Sequence, residues 1–195
     1  MNIFYLHKDP KTCAEMHCDK HVCKMIIEYA QLMCTAHRVI DGEHYEGRTA
    51  NNRRIARWKH PLENHEKLLY KASHIKHPSN LWVRESQNHY NWLYEMWEHL
   101  CYEYTNRYGK VHMTDLKLRG ILASSPMQID VKPFVDPYLA MPDDVKQENV
   151  VEAYRDYYIK YKKDFAKWTN RKVPDFMIGT ISEIQDIETH AGYAS

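Results

Sequence analysis

A cluster of reactive side chains lies near the start of the chain, in the stretch HCDKHVCKM at residues 17–25. It combines two histidines, two cysteines, two lysines and one aspartate within nine positions. Side chains three or four positions apart share one side of a helix. A helix here therefore puts four titratable groups in one row, at the edge of its buried face: His17, His21, Lys24 and Glu28.

Metal binding is the first chemistry that this row allows. His17 and His21 stand four positions apart, a spacing that lets two imidazoles bind one divalent metal ion. Cys13 lies one further turn back. The remaining ligands would have to come from other segments, because the sequence contains neither a CxxC pair nor an HExxH motif. A metal ion held by His17 and His21 is thus the alternative to a site without cofactor.

Covalent or acid–base catalysis is the second possibility. A lysine beside a cleft can act as a nucleophilic amine, and Lys24 stands between His21 and Glu28. The competing interpretation is an ordinary surface pair of Lys24 with Glu28, four positions apart. Histidine titrates near neutral pH and suits general acid–base work, which His17 or His21 could perform. The residues alone do not choose between these roles.

Basic side chains that suit phosphate binding occur in three other stretches. Segment 43–60 carries several arginines with Asn and Trp between them, and arginine is the usual partner of phosphate. A second stretch, HPSNLWVRES, opens a predicted helix, and a third, EYTNRYGKVH, ends one. The candidates for nucleic-acid contact are Arg53, Arg54, Arg57, Arg84 and Lys110. The alternative for segment 43–60 is a solvated loop.

The elements that must position these side chains are mainly helices. Residues 2–6 read as a short strand, and Asp9-Pro10 predicts a helix start with an Asp cap and Pro at the first position. That helix should run to about residue 39. A long helix is predicted from about 79 to 108, ended by Gly109, and another begins near 150. The sequence predicts a mainly α fold, a single helical domain over residues 1–175 with a short N-terminal β-strand, and a separate C-terminal tail at 176–195.

Composition excludes several classes of protein. The net charge of +1 gives no global attraction for a polyanion, so any DNA contact must come from local patches. The five cysteines form an odd set, and the N-terminus lacks a secretory pattern, which favours free thiols and a cytoplasmic location. No window approaches a membrane span. We therefore expect no membrane partner.

The order of these parts resembles the small pyrimidine-dimer DNA glycosylases. MNIFYL, the helix with AEMHCDKH, the helix YNWLYEMWEHLCYEYTNRYGK and the Tyr-rich AYRDYYIKYKKDFAKW occupy similar places. HCDKHVCKM with HPSNLWVRES and EYTNRYGKVH is more closely similar to a group of phage-encoded proteins. The resemblance implies a helical fold, DNA as partner, and an N-terminal α-amine that attacks the sugar after Met removal, beside a carboxylate on the first helix.

Two features depart from the glycosylase pattern. Asn2 is too large for efficient removal of Met1, and His21 and Lys24 stand where the carboxylate of the first helix is expected. Either Lys24 has taken over as the amine, or the protein performs different chemistry on a related scaffold. The leading hypothesis is an enzyme acting on nucleic acid or a nucleotide, most concretely a glycosylase or lyase that acts on a pyrimidine base. The alternatives are a metal-dependent enzyme and a non-catalytic protein that binds a host factor.

Overall fold

The computed structural model of the protein describes residues 1–180. Its α-helices are α1 (Pro10–Glu15), α2 (Asp19–Asp41), α3 (Glu63–Leu68), α4 (Pro78–Glu85), α5 (Gln87–Tyr108), α6 (Met113–Leu122) and α7 (Val150–Tyr161). Short 3₁₀ turns occupy Asp143–Val145, Lys163–Phe165 and Asp175–Met177. One antiparallel hairpin is formed by β1 (Glu43–Arg48) and β2 (Arg54–Lys59). The predicted mainly α single domain is confirmed.

The core forms around α2 and α5, because these two long helices carry apolar side chains at helical spacing. α1 and α2 pack against α5, and α4 and α6 pack against α2. Trp97 of α5 donates from Nε1 to the Ile26 carbonyl of α2 over 2.8 Å, which fixes the register of the pair. The core also contains six large side chains from α4, α5, α7 and the segment after α7, all of them buried: Trp82, Leu93, Leu100, Tyr154, Tyr158 and Trp168.

The first helix is not continuous. The sequence predicted one helix from residue 10 to about 39, whereas α1 ends at Glu15 and α2 begins at Asp19. The buried guanidinium of Arg107, on α5, donates to the carbonyls of Glu15 (3.0 Å) and His17 (2.8 Å). It also donates to the Asp19 carboxylate over 3.0 Å. Arg107 thus satisfies the carbonyl groups of Glu15 and His17, which a continuous helix would have used.

The long helix predicted from 79 to 108 is also divided, at Ser86. The Ser86 hydroxyl accepts from the Asn88 amide (3.2 Å) and exchanges hydrogen bonds with the backbone of Lys132 (2.7 and 3.0 Å). The segment 126–135, which wraps the body, therefore supplies the partner that breaks the helix. At its far end the helix stops as predicted, with Gly109 in the left-handed conformation (φ 66°).

The paired strands lie in a segment that was expected to be irregular. Residues 43–60 form the hairpin, with Glu43 opposite Lys59 and Arg48 opposite Arg54. Residues 2–6, expected as a strand, form a largely buried segment with no strand partner among the described residues. Within residues 1–180, the β-sheet consists of this two-stranded hairpin.

From residue 150 the described chain forms one more α-helix, followed by a partly buried segment. α7 ends at Tyr161 and does not reach Trp168, whose indole nevertheless packs in the core and donates to the Met16 carbonyl over 3.0 Å. The predicted tail began at residue 176, but Met177 is buried. Residues 181–195 of that tail lie outside the described part of the chain. Among the described helices, none combines the length and the apolar character needed to cross a membrane.

Candidate functional site

His17 lies in the loop between α1 and α2, fully buried, with both ring nitrogens engaged. Nδ1 is 2.8 Å from the Cys13 carbonyl, and Nε2 is 2.8 Å from the Tyr29 hydroxyl. A carbonyl only accepts, so the ring proton is on Nδ1 and Nε2 accepts from Tyr29. The Tyr29 oxygen in turn accepts from the Phe4 amide over 3.1 Å. His17 thus ends a chain of hydrogen bonds that holds the N-terminal segment.

His21 is a second interior histidine. Its Nδ1 contacts the Tyr158 hydroxyl, and its ring stacks on Phe4 with 4.3 Å between the centroids. Burial, together with the nearby His17, lowers the pKa of His21 to about 2. Burial also lowers the pKa of His17 to about 4. Both imidazoles are therefore neutral at physiological pH and are packed within the protein, so they do not border an open pocket.

The predicted metal pair does not come together as a two-histidine site. The ring centroids of His17 and His21 are 6.5 Å apart, and both nitrogens of His17 already have protein partners. Within residues 1–180, a group of three side chains with metal-binding atoms close together occurs elsewhere, at His37, Asp41 and His60. The divalent metal ion proposed from the sequence alone would thus lack further ligands beside His17 and His21.

The buried N-terminal segment places the α-amine of Met1 beside Glu28. Ile3 and Leu6 are fully buried, and the Phe4 amide is held by Tyr29, the residue after Glu28. The chain therefore passes along α2, and the Met1 nitrogen lies 3.4 Å from the Glu28 carboxylate. The sequence interpretation found no carboxylate positioned for an N-terminal amine. That interpretation is corrected by this contact.

Lys24 reaches the same carboxylate from the other side. Its ammonium is 3.3 Å from Oε1 of Glu28, whereas the Met1 amine approaches Oε2. The Lys24 side chain is 69% exposed and that of Glu28 only 20%. Lys24 is therefore a solvated surface lysine in an i, i+4 pair, and Glu28 is a half-buried carboxylate between two amines.

His77 borders the same group. It caps α4, with Nδ1 accepting from the Ser79 amide over 3.2 Å. Burial lowers the pKa of His77, and the positive α-amine of Met1 lowers it further, while Glu28 acts in the opposite direction. We call Met1, Lys24, Glu28 and His77 the Glu28 site. His17 and His21, which the sequence placed in one row with Lys24 and Glu28, lie behind this site, in the core.

Arg84 and Lys110, predicted to contact nucleic acid, lie apart from the hairpin. The Arg84 guanidinium donates to the Asn80 carbonyl over 3.0 Å and to the Ile75 carbonyl. It thereby braces the loop before α4, and burial lowers its pKa. Lys110 is exposed just after α5. The five predicted phosphate-binding residues therefore do not form one continuous patch.

The other three lie on the β1–β2 hairpin, where most side chains are exposed. Residues 43–59 carry five Arg or Lys and two Glu, a net charge of +3. Side chains opposite each other in an antiparallel pair share a face. Arg54 therefore lies on the face of Arg48, and Arg57 lies on the other face beside Tyr45, while Arg53 precedes β2 at the turn. Arg54 is 3.3 Å from Glu46, so part of this charge is compensated.

Comparison with known proteins found no relative of this chain. No protein-family model, no curated protein and no solved structure matches the chain. Fold and site together define a mainly α domain with an amine–carboxylate group at one surface and a basic two-stranded ribbon at the end of α2.

Proposed function

We propose that the protein is a nucleic-acid-acting enzyme, a DNA glycosylase or lyase that attacks the sugar of a pyrimidine nucleotide with an amine held at Glu28. The observation that carries the proposal is the 3.4 Å contact between the Met1 α-amine and the Glu28 carboxylate. A nucleophilic amine needs a group that removes its proton and a fixed position beside its target. Glu28 supplies the first, and the buried segment from Ile3 to Leu6 supplies the second.

The reaction has two stages. The neutral amine, its proton passed to Glu28, forms a bond to C1′ of the deoxyribose. The glycosidic bond from C1′ to the base breaks, and the base leaves with the electron pair and takes up a proton. The nitrogen lone pair then forms a C=N bond as the C1′–O4′ bond breaks, O4′ keeps the electron pair and takes up the proton that Glu28 carries, and a Schiff base results. Removal of a C2′ proton next breaks the C3′–O bond, and water releases the amine. Glu28 is the proposed proton carrier in both stages.

The Met1 amine is a better candidate than the predicted Lys24. As classes, α-ammonium groups lose their proton near pH 8 and lysine ammonium groups above pH 10, so neutral α-amines are roughly 300-fold more abundant at pH 7. Lysines overcome this difference through burial, but Lys24 is 69% exposed. Asn2 favours retention of Met1, and retention keeps an α-amine at the observed distance from Glu28.

The hairpin suits the proposed DNA partner in shape and charge. The major groove of B-DNA admits a two-stranded ribbon, and residues 43–59 carry a net charge of +3. Glu28 and the end of α2 at Asp41 are thirteen residues apart along the helix, or about 20 Å. That distance spans about six base pairs. Ribbon contacts would thus position the duplex while one nucleotide is extruded toward Glu28, as base chemistry requires.

A duplex with an abasic site tests the amine without knowledge of the preferred base. The intact mass of the protein first shows whether Met1 is present with a free amine. Borohydride reduction should then trap a covalent adduct of the wild type, and peptide mass spectrometry should locate it on Met1. Lys24→Met should trap equally well. Glu28→Gln should reduce the trapping rate by 100-fold or more, on the usual scale for general acid–base catalysis.

A protein extended by two residues before Met1 provides the matched comparison, because its amine is moved away from Glu28 while Lys24 is untouched. Its adduct should be lost. An adduct found on Lys24 would contradict the α-amine assignment. The absence of any adduct from the wild type, under conditions where the protein binds the duplex, would refute the glycosylase or lyase proposal.

A further inference from the structure

Three side chains with metal-binding atoms meet at the base of the hairpin. His37 and Asp41 lie one turn apart at the end of α2, and His60 directly follows β2. One ligand atom from each residue lies within 4.8 Å of the other two. All three residues are buried, with exposures of 2%, 8% and 2%. The cluster is separate from the Glu28 site.

One ring nitrogen of His60 has no hydrogen-bond partner. Its Nε2 atom is buried and makes no hydrogen bond. The nearest acidic oxygen is Oδ2 of Asp41 at 3.8 Å, which is too far for a hydrogen bond. Buried polar atoms in native proteins are nearly always paired. An imidazole nitrogen and a carboxylate that face each other at this separation have room for an ion between them.

Asp41 and His37 are held in place from outside the cluster. The Asp41 carboxylate accepts from the amides of Met127 (2.8 Å) and Gln128 (3.0 Å). Tyr90 donates its one proton to the Leu122 carbonyl, so its oxygen accepts from Nε2 of His37 over 2.9 Å. The neutral His37 ring is therefore protonated at Nε2 and keeps a lone pair at Nδ1. Ligands braced by such outer hydrogen bonds are typical of metal sites in proteins.

We propose that His37, Asp41 and His60 bind a divalent transition-metal ion, with zinc the best match. Two imidazoles and one carboxylate are a common zinc ligand set, with bonds of about 2.0–2.2 Å. Tetrahedral bonds of that length put neighbouring ligand atoms about 3.4 Å apart. The three side chains would thus close by about 1 Å around the ion. A water molecule or His65, whose ring stacks on His60 at 4.7 Å, completes the coordination.

Binding changes one contact of His60. Coordination at Nε2 puts the ring proton on Nδ1, which now accepts from the Leu62 amide over a long 3.2 Å. The hydrogen bond from the Leu62 amide to Nδ1 would therefore be lost. Leu62 is 46% exposed, so water can replace the lost acceptor. One long hydrogen bond is thus exchanged for two nitrogen–metal bonds and one oxygen–metal bond.

The role of such an ion is structural. It joins the last turn of α2 to the residue after β2, so it fixes the angle at which the hairpin leaves the body. The site has no connection to the amine at Glu28, and its metal affinity is measurable without DNA. Failure of the amine proposal therefore leaves the metal proposal intact, and failure of the metal proposal leaves the amine.

Metal content and cobalt spectroscopy of the untagged, full-length protein test the inference. After dialysis against micromolar zinc and then metal-free buffer, we expect one zinc per chain and a higher thermal midpoint than in chelator-treated protein. Cobalt should give the visible bands of a tetrahedral N/O site without the strong near-ultraviolet band of thiolate ligands. This second readout uses the wild type, so it does not depend on a variant that folds. The absence of a thiolate band would also show that the cluster, and not one of the five free cysteines, binds the metal.

His60→Ala and Asp41→Asn should each weaken zinc binding by at least 100-fold. His44→Ala is the matched control, because His44 is exposed on the same hairpin and should leave binding unchanged. Wild-type protein without stoichiometric zinc at micromolar free metal would overturn the proposal. Full zinc retention by folded His60→Ala, or a thiolate band with cobalt, would also overturn it.

Discussion

Mild acid should destabilise this protein through His17. In the folded state the ring donates from Nδ1 to Cys13 and accepts at Nε2 from Tyr29. A proton added at Nε2 would face the hydroxyl proton of Tyr29 with no acceptor available. Burial accordingly lowers the pKa of His17 to about 4. The unfolded chain takes up this proton near pH 6.5, so below that pH protonation favours unfolding.

The size of the effect follows from the difference between the two pKa values. Because the folded pKa is the lower one, the contribution is complete above pH 6.5 and is lost as the pH falls toward 4. A gap of about 2.5 units corresponds to about 3 kcal/mol, or at most about 1.4 kcal/mol per pH unit. His21, whose pKa burial lowers to about 2, adds a similar slope in the same range. The sum is comparable to the whole stability of many domains.

Urea unfolding followed by tryptophan fluorescence at pH 7, 6 and 5 measures this slope. His17→Gln keeps one donor and one acceptor but does not titrate, so its free energy of unfolding should fall less steeply, by about 1.4 kcal/mol per pH unit. His44→Gln changes an exposed histidine and should keep the wild-type slope. Equal slopes for wild type and His17→Gln would refute the assignment of a buried, neutral His17.

Two further variants test the fold and the hairpin. Arg107→Met should cost about 3–5 kcal/mol in urea melts, because it leaves the Glu15 and His17 carbonyls without their donor. It also removes one of the two guanidinium groups that contact the buried Glu103 carboxylate, while Arg171 still contacts it. The exposed Lys110→Met is the control, and an equal loss in both would contradict the reasoning. Arg53→Ala with Arg54→Ala should weaken DNA binding and flatten its log-affinity dependence on log salt by about two units. A salt dependence that both changes leave intact would exclude the hairpin as a DNA contact.

Local chemistry explains which helix ends the sequence could predict. Asp9 accepts from the Thr12 amide over 2.8 Å, and Gly109 adopts the left-handed conformation. Both outcomes depend on residues within one turn. The break before Asp19 depends on Arg107, 88 residues away, and the break at Ser86 depends on Lys132. Helical periodicity continues through both breaks, so the sequence could not reveal them.

The same limit applies to the row of site residues. Helical spacing correctly grouped Lys24 with Glu28, which form an ion pair. It also grouped His21 with them, but Tyr158, from the other end of the chain, covers His21. Whether a polar side chain beside a core faces solvent or interior depends on what packs over it. The hairpin was missed for a different reason, because its strands, EHYEGR and RIARWK, carry charged residues on both faces and lack the apolar face that marks a strand.

The amine shows how geometry changes an inference drawn from one position. From the sequence, Asn2 argued against an N-terminal nucleophile, because it favours retention of Met1. In the structure, the α-amine of Met1 lies 3.4 Å from the Glu28 carboxylate. Tyr29 fixes Phe4, and three residues of chain then reach back to Glu28, one helix position before Tyr29. The buried His17 accepts a hydrogen bond from Tyr29. The stretch HCDKHVCKM therefore contributes to the site by holding the N-terminal segment from within the core. In the proposed enzyme, its histidines hold the segment that carries the amine, and Glu28 provides the proton transfer.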